Sequence, residues 1–200
     1  MMIDSLYLGP EYDLSNIEGD KVCSMDVAKL IDQQKIVAIF QGRSEAGPRA
    51  LGNRSILYDP RDPHGKDRLN MVKNREPFRP FGCTVLLQHA HNWFDMGGLI
   101  ESPFMMYAMK GLPHTYDKIP AVLHVDNTCR VQTVCPKDNF NYYQLIDSFY
   151  QLTKIPLLLN TSFNLSGEPL VETPDDAIDT FECSAIDYLY FPEVQKLRGK

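Results

Sequence analysis

The sequence predicts an α/β or α+β fold in one domain spanning residues 1–200, and two observations carry that prediction. Apolar runs of strand length, as at 36–40 and 155–159, alternate with stretches of helical period, as at 142–152. No internal repeat, low-complexity segment or linker-like shift in composition divides the chain. Its 200 residues suffice for one sizeable core, and 44% hydrophobic with 23% charged residues is ordinary globular composition.

The first 25 residues show no clear period, with Leu8-Gly9-Pro10 reading as a turn and 14–19 as loop. Residues 26–34 form a short helix, apolar at Val27, Leu30 and Ile31 and capped by Asp26. The apolar run at 35–41 is a strand buried on both faces. It opens into 42–61, where four arginines (Arg43, Arg49, Arg54, Arg61) fall among three glycines and two prolines. Glycine lets the backbone approach a ligand, proline stiffens the loop, and the guanidinium fork matches phosphate or carboxylate oxygens.

Residues 55–58 add a short strand, and 63–74 a helix with Pro63 in its first turn and Leu69 and Val72 on one face. Pro77 and Pro80 force Glu76 and Arg79 into extended backbone, so Lys73, Arg75 and Arg79 project from a stiff segment facing the first loop. A strand at 83–88, a short helix at 89–94 and a methionine-rich core strand at 104–109 follow. Residues 121–134 read as a hairpin turning at Asp126-Asn127, with Arg130 near its tip. The helix at 142–152 places Tyr142, Leu145, Ile146, Phe149 and Leu152 on one face. A buried strand at 155–159 ends in Asn160-Thr-Ser-Phe-Asn164. Thr173 caps a helix that runs to about residue 183 with Pro174 first and acids in its opening turn, and 187–191 is the closing strand.

Charge separates along this order. Residues 42–79 hold nine Lys/Arg against five Asp/Glu, while the rest of the chain holds eleven against twenty-one. A basic island in a protein of net charge −6 points to an anion site, against the plainer reading in which the arginines pair with Glu45, Asp59 and Asp62 on a solvated surface. The acidic total argues against non-specific adhesion to nucleic acid, and no base-stacking aromatics interleave the basic stretch.

No apolar run reaches the ~20 residues of a membrane helix, and no leader pattern opens the chain. Five scattered cysteines without C-x-x-C suit a reducing cytoplasm and form neither a zinc ribbon nor a redox motif. Walker A and G-x-G-x-x-G patterns are absent, and Ser162 lacks the G-x-S-x-G of a nucleophile elbow. His89 with His91, and His124 with Asp126, are too isolated to predict a dedicated metal site, so any Mg²⁺ arrives with a nucleotide. Three polar clusters remain, each beside an apolar strand: Arg43/Arg49/Arg54, Lys73/Arg75/Arg79 and Asn160/Ser162/Asn164. Together they suit a phosphate, a ribose or a small amide.

These clusters, in order, resemble the C-terminal domain of the O-carbamoyltransferases that modify nodulation factors and antibiotics. The resemblance runs through Tyr7-Leu-Gly-Pro10, Gly42-Arg-Ser-Glu-Ala-Gly-Pro-Arg-Ala-Leu-Gly-Asn-Arg-Ser55, Lys73-Asn-Arg-Glu-Pro-Phe-Arg-Pro-Phe81 and Ser102-Pro-Phe-Met105. It continues through His124-Val-Asp-Asn-Thr-Cys-Arg-Val-Gln-Thr133, Leu159-Asn-Thr-Ser-Phe-Asn164 and Gly167-Glu-Pro169. It implies a YrdC-like twisted mixed β-sheet with flanking helices and a basic concave groove. Lys73-x-Arg75 and Ser162-x-Asn164 are similar to that group's K-x-R and S-x-N motifs.

By resemblance the domain binds ATP, with Mg²⁺, and carbamoyl phosphate, and makes carbamoyl-adenylate. Lys73, Arg79, Arg130 and Ser162 would hold carbamoyl phosphate and the ATP phosphates. Arg49 and Arg75 would add positive charge, with Asn160 and Asn164 as polar contacts. The sequence departs from the family at Phe81-Gly82-Cys83, where Phe-Ala-Pro is usual, and it lacks the family's N-terminal actin-like domain with its metal and acceptor sites. The resemblance therefore implies a partner chain that supplies the acceptor half. Two other readings stay open: a YrdC-like groove that binds nucleotide or RNA without turnover, and a module that only docks.

Overall fold

The computed structural model describes residues 6–200. The first five residues, which hold the beginning of the aperiodic segment and of the stretch read for a leader, lie outside the described residues. In chain order the elements are β1 (Asp20–Lys21), α1 (Ser24–Asp32), β2 (Val37–Phe40), β3 (Arg54–Tyr58), α2 (Gly65–Val72), β4 (Gly82–Leu86) and β5 (Phe94–Asp95). There follow β6 (Ala108–Gly111), β7 (Thr128–Val134), α3 (Phe140–Thr153), β8 (Leu157–Ser162), α4 (Pro174–Glu182), β9 (Tyr188–Phe191) and β10 (Lys196–Gly199).

Among the described residues, ten strands join one mixed sheet in the order β1-β10-β9-β2-β3-β8-β4-β7-β6-β5. The β2–β9 and β4–β7 pairs are parallel, and the other neighbours are antiparallel. Helix α1 packs on α3, α3 on β4 and β8, and α4 on β2 and β9. The expected mixed α/β class holds. β2 is buried at all four positions, as its unbroken apolar run requires.

Helices form where period and cap agree. α3 buries Tyr142, Leu145, Ile146 and Phe149, while Leu152, expected on that face, is 41% exposed in the last turn. α4 begins as read: Thr173 Oγ1 accepts from the Asp176 N–H at 3.0 Å and Asp176 Oδ2 accepts from the Thr173 N–H at 2.9 Å. The α1 cap is corrected. The helix starts at Ser24, so Asp26 is its third residue and reaches back to accept from the Cys23 N–H at 3.1 Å. α2 likewise starts at Gly65, and Pro63 precedes it; the entry is held by Asp62 Oδ1, which accepts from the His64 N–H at 2.8 Å.

Four strand expectations also change. β8 continues through Ser162, so Asn160, Thr161 and Ser162 lie in the sheet rather than in a loop after it. The strand expected at 104–109 begins only at Ala108, because Met105 takes a left-handed conformation (φ +53°) that extended backbone cannot include. Residues 121–124 are no hairpin arm. The Ala121 N–H is drawn to the Pro60 carbonyl (3.1 Å), and β7 pairs with β4 and β6, which puts Arg130 within the sheet. β9 is followed by β10, which pairs with it and with β1. β1, β5 and β10 are additional strands; β1 and β5, at two residues each, are too short for a period to register.

Candidate anion-binding site

The floor of the site is one row of the sheet. Register aligns Gly82 of β4 with Arg130 of β7 on one side and Asn160 of β8 on the other. Directly opposed residues share a face, so Arg130 and Asn160 rise on either side of a position with no side chain. In this packing the gap is needed: a Cβ on Gly82 would lie 2.7 Å from Met105 Sδ and 2.8 Å from the Arg130 carbonyl oxygen, so a side chain here would require one of them to shift.

A buried amide–hydroxyl network fixes the floor to the loop above it. Thr84 Oγ1 donates to Gln132 Oε1 (2.6 Å), and Asn160 Nδ2 donates to Thr84 Oγ1 (2.9 Å) and to the Ala50 carbonyl (3.1 Å). Gln132 Nε2 donates to the Leu51 carbonyl (3.0 Å). The loop is shaped from within by Glu45, whose Oε1 accepts from the backbone N–H of Leu51 (2.7 Å), Asn53 (2.7 Å) and Arg54 (3.3 Å). Burial raises the Glu45 pKa against the lowering effect of these donors.

Over this floor lies a groove of about 110 Å³ lined by Arg49, Arg75, Arg130, Asn160, Thr161 and Ser162, with Phe81 and Met105 in its walls and no carboxylate. Arg75 is aimed by two contacts. Its Nε donates to Asn70 Oδ1 (2.6 Å), and its guanidinium stands 4.4 Å from the Phe81 ring centroid. Asn70 is itself tied to the Pro77 and Arg79 carbonyls at 3.1 and 3.0 Å. Burial, then the charges of Arg79 and Arg130, pull the Arg75 pKa down to about 10. Burial and then Arg49 lower that of Arg130, which donates no side-chain hydrogen bond among the described residues. Arg49 Nη1 donates to its neighbour Pro48's carbonyl (3.0 Å). Three buried atoms of these lining residues have no partner: Arg49 Nε, Arg75 Nη2 and Asn160 Oδ1. Two orphan donors and one orphan acceptor in a cationic cleft fit an anion that also carries an N–H.

Lys73 sits behind the groove rather than in it. Its Nζ donates to the carbonyls of Ser162 (2.6 Å) and Asn164 (2.8 Å) and to Asn164 Oδ1 (2.9 Å), with Ser162 Oγ at 3.4 Å. Ser162 Oγ also donates to Asn164 Oδ1 (2.7 Å). Burial, then the nearby Arg75 charge, pulls the Lys73 pKa down to about 7.

Lys73, Ser162 and Asn164 therefore form one hydrogen-bonded unit beside Arg49, Arg75, Arg130 and Asn160. Arg79 stands apart from the groove lining, exposed and paired with Glu76 at 2.8 Å, and reaches the site through its charge on Arg75.

The expected Arg43/Arg49/Arg54 cluster does not form. Arg43 is half exposed and pairs with Glu11 (3.2 Å). Arg54 is fully buried, stacked 3.6 Å from the Phe40 centroid, and donates to the carbonyls of Gln41, Asn53, Gly42 and Glu172. Of the expected surface pairs only the Asp59–Arg61 contact forms (2.6 Å), and Asp59 is buried rather than on a solvated surface; Glu45 and Asp62 bind backbone N–H groups and the Tyr58 hydroxyl instead. Reasoning from residue types missed Glu45 as a loop organiser, Phe81 as the Arg75 platform and Gly82 as the floor. Only Phe81, adjoining Arg79-Pro80, carried a signal. Among the described residues no group of three or more His, Cys, Asp or Glu is gathered as metal ligands, and no helix is long and apolar enough to cross a membrane. His124 is held by Thr128 Oγ1 (3.1 Å) and the Phe81 carbonyl (3.3 Å).

The family described as Carbamoyltransferase C-terminus matches residues 28–196. The chain is 45% identical over 156 residues to nodulation protein NolO of Bradyrhizobium diazoefficiens, covering 77% of this chain and 28% of NolO. It is 39% identical over 169 residues to nodulation protein U of Rhizobium tropici, covering 84% of this chain and 28% of that protein. The chain thus spans less than a third of the length of these relatives. In fold it is similar to part of HypF from T. kodakarensis (TM-score 0.59, 20% identity, 87% of this chain and 21% of that one). It is also similar to part of full-length HypF in the phosphate- and nucleotide-bound form (TM-score 0.53, 16% identity, 87% and 24%). By sequence, over most of its length, the chain belongs to the carbamoyltransferase C-terminus family.

Proposed function

We propose that this domain binds ATP and carbamoyl phosphate in the Arg49–Arg75–Arg130 groove and forms carbamoyl-adenylate for O-carbamoylation of a hydroxyl acceptor. The acceptor site would come from a partner chain or domain corresponding to the remainder of the longer relatives. One observation carries the reading. Three guanidinium groups line a groove without a carboxylate, beside a buried Asn160 Oδ1 that has no hydrogen-bond donor. Carbamoyl phosphate matches both features: its phosphate oxygens take the arginine N–H groups, and its amide N–H meets the lone acceptor.

In the proposed reaction, water converts carbamoyl phosphate to carbamate and phosphate. A carbamate oxygen then attacks the α-phosphorus of ATP, the bond to the β-phosphate oxygen breaks, and pyrophosphate leaves. The chain's own residues position and screen. Arg49, Arg75 and Arg130 hold two polyanions close together, and Lys73 keeps Ser162 and Asn164 in place. No carboxylate in the groove would hold Mg²⁺, so the ion would be carried by the phosphates themselves.

Pyrophosphate release with ATP, Mg²⁺ and carbamoyl phosphate tests the reading, with Arg130→Ala as control. Release should depend on carbamoyl phosphate and fall about 10–100-fold in the variant, the loss expected for a charge-assisted contact to a phosphate. Absence of release, both alone and with the remainder of a longer relative added, would sink the proposal.

A further inference from the structure

We infer that Met105 is a specificity-determining residue of the groove, a thioether that admits the flat, unsubstituted carbamoyl end of an acyl phosphate and rejects bulkier acyl groups. This rests on the carbamoyl phosphate reading above. A ligand whose phosphate meets Arg75 and Arg130 and whose amide meets Asn160 Oδ1 must cross the sheet row at Gly82, which stands between Arg130 and Asn160. The notch there is filled. Met105 Sδ and Cε would lie 2.7 and 3.4 Å from a Cβ on Gly82, so the thioether takes the place of the missing side chain. It thereby sets how deep an acyl group can sit beside Asn160.

The backbone is bent to bring that side chain in. Six non-glycine residues among the described ones take a left-handed φ, and Met105 (+53°) is the apolar and buried one of the six, at 3% exposure. Glycine would adopt this conformation without the clash that a Cβ brings. What a methionine adds over glycine here is therefore the side chain itself, delivered into a functional groove at the expense of local strain. Met106 and Tyr107 stay 63% and 57% exposed, so the turn sends one side chain inward and leaves the next two in water.

A free methionine is adaptable and would measure size poorly. This one hangs from a strap fastened at both ends to β7, the strand that carries Arg130. Ser102 Oγ donates to the Val131 carbonyl (2.8 Å), its N–H donates to Thr133 Oγ1 (2.8 Å), and its carbonyl accepts from the Thr133 N–H (2.9 Å). At the other end the Tyr107 carbonyl accepts from the Val131 N–H (3.3 Å). The thioether is thus held in fixed relation to a cation that grips the phosphate. Two separate filters result. Asn160 Oδ1 tests for an amide N–H, since a methyl in its place leaves a buried acceptor unpaired, and Met105 tests for bulk on the same nitrogen.

Calorimetry on the full chain tests this with three stable phosphonates: phosphonoacetamide, its N-isopropyl derivative, and 2-oxopropylphosphonate, in which methyl replaces the amide nitrogen. The wild type should bind the N-isopropyl compound about 10–100-fold more weakly than phosphonoacetamide. Met105→Ala, and Met105→Gly, which also relieves the left-handed strain, should narrow that ratio to about threefold. Met105→Leu, of similar volume, should keep it. The 2-oxopropyl compound should remain weaker than phosphonoacetamide in every variant, because Asn160 is untouched. A wild type that binds both amides alike would overturn the role of Met105 and leave the groove standing. So would an unchanged ratio in the Ala and Gly variants, or an equal gain for all three ligands, which marks mere loosening. A wild type that binds inorganic phosphate but not phosphonoacetamide, or neither, would instead overturn the carbamoyl phosphate reading, and the role of Met105 with it.

Discussion

The stretch from Gly42 into the first residue of β3, Arg54, and the segment between α2 and β4 carry similar densities of arginine, yet they use it in opposite ways. In the first, both Nη atoms of Arg54 are taken by four backbone carbonyls, with only its buried Nε left over, Arg43 is paired with an acid, and only Arg49 reaches the groove. In the second, Arg75 is aimed by one amide and one ring, and keeps a buried Nη2 without a partner. Arg130, one strand away from β4, is left with no side-chain hydrogen bond among the described residues. What separates an architectural guanidinium from one available to a ligand is the number of acceptors the fold itself supplies, not proximity to glycine or proline in the sequence.

Substitutions sharpen that contrast. Arg54→Ala takes the side-chain donor from four carbonyls, of which only Asn53 keeps another, the Gln41 N–H, and should cost about 3–5 kcal/mol in urea unfolding, with groove ligands affected only through folding. A loss under about 1 kcal/mol would erase the distinction between the two regions. Lys73 is next. With its folded pKa near 7 and an unfolded value of 10.5, the unfolded chain binds more protons between those limits. Its contribution to stability is therefore lost as pH falls towards 7 and recovered as pH rises towards 10.5. Relative to Lys73→Met, the wild type should gain stability across that window at up to about 1 kcal/mol per pH unit. Parallel pH profiles for the two proteins would contradict a desolvated Lys73. The smallest effects on stability should come from Arg43→Ala and Arg130→Ala, each within about 0.5 kcal/mol. Phosphate titration should separate that pair, since only Arg130→Ala should weaken binding, by about tenfold or more.

Much of the scaffold was legible because its causes are local. The apolar stripe of α3, the Thr173 cap with Pro174 behind it and the continuous burial of β2 each follow from residues adjacent in sequence or one helical turn apart. Arg49, Arg75, Arg130 and Asn160 could be named as candidates from residue type and motif, and folding gathers them in one groove. The illegible parts depend on partners remote in the chain. Arg54 and Glu45 are governed by backbone carbonyls and N–H groups, which every residue has and no pattern advertises. The alternation at 121–125 imitates a strand, but those backbone groups find their partners elsewhere, at Pro60 and Thr128. Met105 ends an apolar run by a backbone angle that its side chain does not foretell.

The Thr84–Gln132–Asn160 network also bears on how the sheet finds its alignment. Three polar side chains from three adjacent strands meet in the interior with their bonds made only in one register. Sliding β8 by a single residue against β4 would turn Asn160 to the opposite face and leave Thr84 and Gln132 short of a partner. Each orphaned group would cost about 1–3 kcal/mol, a large share of a domain's margin. Purely aliphatic side chains would tolerate such a slip far better. The same three residues that pin the floor of the groove thus act as a proofreading device for strand pairing, and a near-miss of the fold is rejected at the place where the ligand would later sit.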